Sequence, residues 1–479
     1  MRRGQRQKDV CAFLSFQKTL AKAHPDMKRW GGMDSPVRTT EERATSIVVR
    51  LVDAGHTAYF VGGAVRDKLM DREPVDIDIA TSAPQHIVTS LFEHTVPLGK
   101  EFGVVIVVID KEPFEVATFR TEGPYEDGRR PSWVRSADAR ADVARRDFTL
   151  NGLLFDPVQK EVIDWVDGEK DIRNHWVRSI GEPHKRFSED KLRLLRAIRF
   201  ASNLDFQIED ETGRALRDMA GEITVVSAER IRVELTKIFT GPRPDRGLSL
   251  LDEYGLLDRI LPEVARMKGV KQGELHHPEG DVFVHTRKIL SLLSKPTVSL
   301  AFAALLHDVG KPPTCQPDGP VMFPNHAKVG ADMSRDILNR LRFDGRTREL
   351  VVDAVANHLR FLDVKKMRPS TIRRFMSSIN FAEQHQLHRL DCLAGNGDLS
   401  NWEFVKEQLE QLEREPLPPA PLLGGKDLLE LGFQPGPDMG RILHEVEEMR
   451  LEEVLTTKEE AARWVLEHYR PDVKTDSGQ

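Results

Sequence analysis

Cysteine is scarce: Cys11, Cys315 and Cys392 are the only three in 479 residues, and no two form a CxxC pair. That excludes a disulfide framework and a zinc–thiolate site, and suits a reducing cytoplasm. Long apolar runs are missing as well. No stretch of about 18 apolar residues is there to span a bilayer, so no membrane association is expected. The opening MRRGQRQKDVCAFLSFQKTLAKAHPDMKRWGG is basic and interrupted by charge, without the apolar core of a secretory signal. A presequence, or a start at Met27 or Met33, is the plain reading. Excess positive charge is also absent, since the net charge is −6. Any nucleic-acid partner must therefore meet a local basic surface rather than an overall polycation. What remains is an ordinary globular composition, 39% hydrophobic and 30% charged. The length suffices for about two to four domains, and no internal repeat occurs.

Periodicity divides the chain into two characters. A helical pattern runs from Thr39 to Gly55, and TAYFV (57–61) reads as a buried strand ending at Gly62-Gly63. VDIDIA (75–80), VVIVVI (104–109) and FEVATF (114–119) read as further strands. TEGPYEDGRRPS (121–132) reads as a mobile loop. DFTLNGLLFD (147–156) and VIDWVDG (162–168) close this segment. After Gly181 helical periodicity dominates, with breaks at 241–244, 276–281, 312–324 and 416–425. The last helix opens on Thr457 and Glu460 at capping-box spacing. The expected fold class is α+β: a mixed-sheet head followed by a helical body. The expected boundaries are a flexible lead 1–38, a head 39–180, a neck 181–245, a body 246–400 and a tail 401–479.

The head carries a carboxylate pair. Asp76 and Asp78 are one residue apart, so on a strand both face one way while Ile77 and Ile79 face the core. Phosphoryl transfer by two metal ions needs such carboxylates on a rigid support. A lone D-x-D is equally what a solvated strand face looks like. The preceding GGAVRD (62–67) shifts the balance, because a glycine turn into a helix lets backbone N–H groups approach phosphate. Arg66, beside Asp67, is placed to pair with phosphate oxygens.

FVGGAVRDKLMDREPVDIDIATSAP (60–84) resembles the signature of class II tRNA nucleotidyltransferases and bacterial poly(A) polymerases, within the DNA polymerase β superfamily. The likeness continues through RRDFTLNGLLFD (145–156), GEPHKRFSEDKLRLLRAIRFA (181–201), ERIRVEL (229–235) and GGKDLLELGFQPGPDMGRIL (424–443). The resemblance implies a polymerase β-type head in which Asp76 and Asp78 hold Mg²⁺, with Glu115 as a third acidic candidate. It implies that Gly63 and Arg66 contact the triphosphate, and that Arg146 and Asp147 contact ribose and incoming nucleotide.

In the neck, SEDKLRLLRAIRF places Asp190, Arg193 and Arg196 at spacings of three, expected to form one ridge of a helix. A salt-bridged solvent face is the plain reading. The chemical one is base selection: a carboxylate accepts from the amino group of cytosine or adenine while an arginine donates to the neighbouring acceptor. The resembled family assigns that role to the matching E-D-x-x-R motif, here Glu189, Asp190 and Arg193. Arg196 and Arg199 would serve the triphosphate or stack on the base. Family members restricted to cytidine lack the loop that this chain keeps at 125–131, which favours an enzyme able to add A.

In the body, His285, His307-Asp308, His326, His358 and Asp391 offer imidazoles and carboxylates suited to divalent metals. The order, with HDVGK at 307–311, resembles the HD-domain phosphohydrolases. By that resemblance His285, His307, Asp308 and Asp391 would ligate metal and Lys311 would touch phosphate. His326 and His358 match the extra histidines of members holding a second metal. Some tRNA nucleotidyltransferases carry such a domain with phosphatase or phosphodiesterase activity. A retained structural metal fits equally well.

The expected function is therefore template-independent addition of nucleotides from ATP and CTP to the tRNA 3′ end, releasing pyrophosphate. The rivals are a poly(A) polymerase acting on other RNAs, and an HD phosphohydrolase with a non-catalytic head. Body lysines and arginines on tRNA phosphates would make binding salt-sensitive.

Overall fold

The structure is a computed structural model that describes residues 39–98, 103–123, 132–273, 280–316, 321–414, 421–452 and 454–470. The lead 1–38 and the loop residues 125–131 lie outside them.

The chain enters through the Thr40–Asp53 helix, started by a capping box between Thr39 and Glu42. Ala44, Ile47, Val48 and Leu51 form its fully buried stripe. Seven strands then build one sheet: β1 Ala58–Val61, β2 Asp78–Thr81, β3 Thr95–Leu98, β4 Val104–Ile109, β5 Glu112–Thr118, β8 Leu154–Asp156 and β9 Glu161–Ile163. Their order is β3-β4-β5-β2-β1-β8-β9. Of its pairings, β2 with β5 is parallel and the rest are antiparallel. The β-branched run of β4 is buried mid-strand, with Val105 and Val107 at zero exposure.

Several expectations need correction. The second strand begins at Asp78 rather than Val75, so Asp76 and Ile77 precede the ladder. Their alternation survives all the same, with Ile77 and Ile79 buried. The stretch expected as a loop from 121 starts inside β6 Arg120–Glu122, which pairs with β7 Val134–Ser136. Helical character after Gly181 is interrupted by Gln207–Ile208, which pairs in parallel with Trp176–Val177. The break expected at 312–324 overlaps a short helix, Lys311–Thr314.

The neck correction matters most. SEDKLRLLRAIRF is two helices, Pro183–Glu189 and Leu192–Leu204, with Asp190 between them at φ −144°, ψ 105°. The Asp190 carboxylate accepts the Leu192 N–H at 3.1 Å, so a side chain that competes for backbone donors restarts the helix.

One hydrophobic core runs from Ala44 through the sheet and neck to Ala394. Phe239 of the Ala228–Phe239 helix meets Phe302 of the Val298–Leu306 helix edge-on at 5.7 Å, so neck and body share packing. The C-terminal segment holds a separate core from Leu423 to Val465. Its last helix, Lys458–His468, carries the expected capping box of Thr457 and Glu460.

Candidate functional site

β1 ends at Val61, and Gly62 then takes φ 69°, ψ −127°, a conformation open essentially to glycine. This turn starts the Gly63–Leu69 helix and brings Gly62, Gly63 and Arg66 to the wall of a cavity of about 640 Å³. Asp76, Asp78, Glu115, Arg146, Asp147, Asp190, Arg193, Arg196 and Arg199 line the same cavity. The head and neck residues expected to act on metal, nucleotide and base thus meet at one place, except Glu189, which is not in the lining.

Asp78 and Glu115 are neighbours because β2 and β5 run parallel with Ile79 opposite Val116, one residue further along. Asp76, two residues before Asp78, joins them. Among the described residues none of the three carboxylates has a hydrogen-bond or ion-pair partner. Burial, then Glu115 and Asp76, push the Asp78 carboxyl up to about 6. Burial and Asp76 raise Glu115 as well. Three acids held together without a direct partner, and only partly offset by Arg146, fit a set of ligands for divalent cations.

The arginines are placed by internal partners. Arg66 gives its Nε to Asp67 at 2.9 Å and its Nη1 to Asn151 at 2.9 Å. Arg145 and Arg146 share the buried Asp142; burial opposes that carboxylate's charge, but the two guanidinium groups hold it below its usual range. Asp147 accepts Arg196 Nε at 2.6 Å and Asn151 Nδ2 at 3.2 Å. Burial works against its charge, yet Arg196 and Asn151 keep it low. Arg199 places Nη1 at 3.1 and 2.8 Å from the two carboxylate oxygens of the buried Glu234.

Asp190 and Arg193 do not form a ridge on one helix. Asp190 receives Arg230 Nη2 at 2.7 Å. Arg193 donates to Glu189 and to the carbonyls of Arg186 and Arg145. Asn151, Asp142, Arg230, Glu234 and Lys237 escaped the sequence reading as site residues. They lie within or next to the quoted motifs, but several of their partners are far off in the chain, 40 residues for Arg230 and 85 for Asn151, and leave no local signal.

The body holds a second constellation. The Val298–Leu306 helix, apolar but for Ser299, ends at His307, and the turn after it presents Asp308. Gly310 permits this turn, because a Cβ there would sit 2.2 Å from the His326 carbonyl oxygen. His285, His307 and Asp391 form one group of potential ligands; Asp308, His326 and His358 form another. His285 Nε2 and Asp391 Oδ1 are 2.9 Å apart, and His307 Nε2 and Asp308 Oδ2 3.0 Å. The Nδ1 atoms of His307, His326 and His358 each face a backbone carbonyl at 2.7–2.9 Å. That fixes the tautomer and turns Nε2 inward, as in rings that hold metals. The buried Nε2 of His326 has no hydrogen-bond partner, the Asp308 Oδ1 facing it standing 3.6 Å away. Burial lowers His326 and pushes His358 down to about 4, which favours neutral imidazole. Lys311 reaches Asp308 at 2.7 Å. A cavity of about 420 Å³, lined by Asp308, Lys311, His326, His358 and Asp391, opens onto these groups. The donor set fits a divalent metal.

No helix among the described residues is long and apolar enough to cross a membrane.

Comparison with known proteins places these parts in a family. Residues 58–178 match the poly A polymerase head domain, 205–268 the probable RNA and SrmB-binding site of polymerase A, and 282–390 the HD domain. A CCA-adding enzyme of Staphylococcus aureus is 44% identical over 211 residues, 44% of this chain and 52% of that protein. One from Pediococcus pentosaceus is 43% identical over 228 residues, 46% of this chain and 57% of that protein. The chain thus spans about half the length of these curated relatives. The crystal structure of the Bacillus stearothermophilus CCA-adding enzyme in complex with CTP superposes with a TM-score of 0.67 at 26% identity, covering 90% of this chain and 98% of that one. A Thermotoga maritima CCA-adding enzyme complexed with tRNA shares the fold, with a TM-score of 0.54 at 18% identity and 88% and 94% coverage. The chain thus carries a poly A polymerase head domain, a polymerase A RNA-binding segment and an HD domain in this order, and is similar to CCA-adding enzymes.

Proposed function

We propose that this chain adds nucleotides from ATP, and also from CTP, to the 3′ end of tRNA, releasing pyrophosphate. The observation that carries this reading is the trio Asp76, Asp78 and Glu115, without a direct hydrogen-bond or ion-pair partner among the described residues, in a cavity also lined by arginines. Those carboxylates would hold Mg²⁺, which supplies charge neutralisation on the triphosphate and activation of the attacking hydroxyl. Gly63 and Arg66 would receive the triphosphate, and Arg146 and Asp147 would position ribose and nucleotide. Asp190 offers acceptors and Arg193 donors toward the base, a pattern that fits cytosine and adenine and opposes guanine and uracil. Arg196 and Arg199, anchored on Asp147 and Glu234, would serve the triphosphate or stack on the base.

An Asp76→Ala variant tests the reading directly, assayed for labelled ATP and CTP incorporation into tRNA lacking its 3′ end. Loss of incorporation is expected, and unchanged incorporation would remove the assignment. The poly(A) polymerase alternative separates by product: addition that stops after CCA supports a tRNA enzyme, whereas an extending tail supports the rival. tRNA ending before, within and after CC distinguishes CCA addition from addition of the terminal A alone.

The two groups of potential ligands and the partnerless inward Nε2 of His326 favour a second reading for the body, a metal-dependent phosphohydrolase site alongside the head. His285, His307, Asp391, Asp308, His326 and His358 would hold the metal, and Lys311 would face phosphate. Phosphomonoester and phosphodiester hydrolysis in Mn²⁺ or Ni²⁺ should vanish in His307→Ala while nucleotide addition persists. Metal retention without hydrolysis would leave a structural site.

A further inference from the structure

Seven cationic side chains line the head cavity. Six are arginines already tied to carboxylates: Arg66 to Asp67, Arg145 and Arg146 to Asp142, Arg193 to Glu189, Arg196 to Asp147 and Arg199 to Glu234. The seventh is Lys237, exposed on the Ala228–Phe239 helix. Among the described residues its ammonium has no ion-pair or hydrogen-bond partner. Its nearest acid on the same helix, Glu234, is occupied by Arg199. Across the cavity the acid whose field reaches it is Asp76.

A paired arginine and a free lysine do different work. Moving Arg196 or Arg199 onto a ligand would leave Asp147 or Glu234 buried and uncompensated, which is costly. Lys237 carries no such tie. Its compact charge sits on a flexible stem and suits an anion that shifts position during a reaction. The triphosphate is that anion. As the tRNA 3′ oxygen bonds to the α-phosphorus, the bond to the α–β bridging oxygen breaks. The electron pair stays on that oxygen, so charge accumulates on the departing pyrophosphate. Lys237, on a neck helix lining the same cavity and without an ion-pair partner among the described residues, is the one lining cation free to move with the departing group.

We propose that Lys237 binds the β- and γ-phosphates of the incoming nucleotide and follows them as pyrophosphate departs. The inference rests on the nucleotidyltransferase reading above and is separable from it. Lys237→Met and Lys237→Arg are compared with the parent chain in steady-state addition to tRNA lacking its terminal A. Lys237→Met should raise KM for ATP and the inhibition constant of inorganic pyrophosphate about ten-fold each. KM for tRNA should stay unchanged, and Lys237→Arg should recover most of the loss. Unaltered nucleotide KM and pyrophosphate inhibition would overturn the proposal. So would a rise confined to KM for tRNA, which would place the lysine on the primer backbone. If the parent chain adds no nucleotide, the broader reading fails. Calorimetric titration with inorganic pyrophosphate and Mg²⁺ then decides Lys237 by itself, equal affinity in parent and Lys237→Met counting against it.

Discussion

Asp78 and Glu115 stand side by side on parallel neighbouring strands, and neither has a hydrogen-bond or ion-pair partner among the described residues, Arg146 only partly offsetting the crowding at Asp78. The sheet maintains this against electrostatic repulsion because β2 and β5 are interior strands whose core-facing residues, Ile79, Phe114 and Val116, are buried. Replacing one acid should therefore stabilise the fold while destroying its use. We expect Asp78→Asn to raise metal-free stability by about 1–2 kcal/mol near neutral pH, after allowing for partial exposure. Nucleotide addition should fall at least about a hundred-fold. Urea unfolding with chelator, beside an incorporation assay, checks both. A less stable Asp78→Asn protein would contradict the repulsion.

Arg196 and Asp147 join neck to head through two contacts of 2.5–2.6 Å with a nearly buried carboxylate. Removing either partner strands the other charge. Asp147→Asn and Arg196→Met should each cost about 3 kcal/mol, and the double variant less than their sum, with a coupling of about 1–3 kcal/mol. Denaturant midpoints of the four proteins form the cycle. Additive losses would mean the pair contributes nothing beyond its separate packing.

What was legible in the sequence was chemistry carried by short spacing. D-x-D alternation survived even though Asp76 lies outside the ladder, because Ile77 and Ile79 anchor the same face. Glu115 was placed correctly by the strand it sits on. The neck was misread because the spacing of three from Asp190 to Arg193 and Arg196 reads as one helical ridge, while the polar run Ser188 to Lys191 carries no apolar pattern to contradict it. No pattern of apolar residues reveals that Asp190 caps the second helix with its own side chain. Partners such as Arg230 for Asp190 and Glu234 for Arg199 are set by tertiary packing, 35–40 residues away. In the body, the six ligand candidates were legible, but their division into two groups was not. Adjacent His307 and Asp308 fall into different groups once the helix ends between Leu306 and the turn.

Gly310 sets that turn against the His326–Arg340 helix so closely that a methyl group meets the His326 carbonyl and the Gly330 nitrogen at 2.2 and 2.6 Å. Gly310→Ala must push the two segments apart and separate Asp308 from His326 and His358. We expect a loss of about 2–3 kcal/mol in stability. The increase in melting temperature given by Mn²⁺ should shrink as well, with nucleotide addition at low temperature retained. An unchanged response to Mn²⁺ would show that the metal does not use the Asp308 group.

His388 provides a pH dependence with a definite sign. Its ring is 2% exposed and lies flat on Phe361 at 4.6 Å between centroids. Burial pushes it down to about 4 from an ordinary 6.5, even though Asp391 and Asp398 favour its charge. His385 opposes protonation, and the Cys392 thiol beside the ring is itself pushed up to about 12. Above pH 6.5 the ring is neutral folded or unfolded, and its contribution is whole. Between 6.5 and 4 only the unfolded chain takes the proton, so stability drains as pH falls. Linkage gives about 2 kcal/mol lost from this group between pH 7.5 and pH 5. His388→Phe keeps a stacking ring and removes the titration. Its stability should fall about 2 kcal/mol less than that of the parent chain over this interval, measured by urea unfolding in chelator. Parallel losses in the two proteins would mean that the folded state protonates His388 as readily as water does.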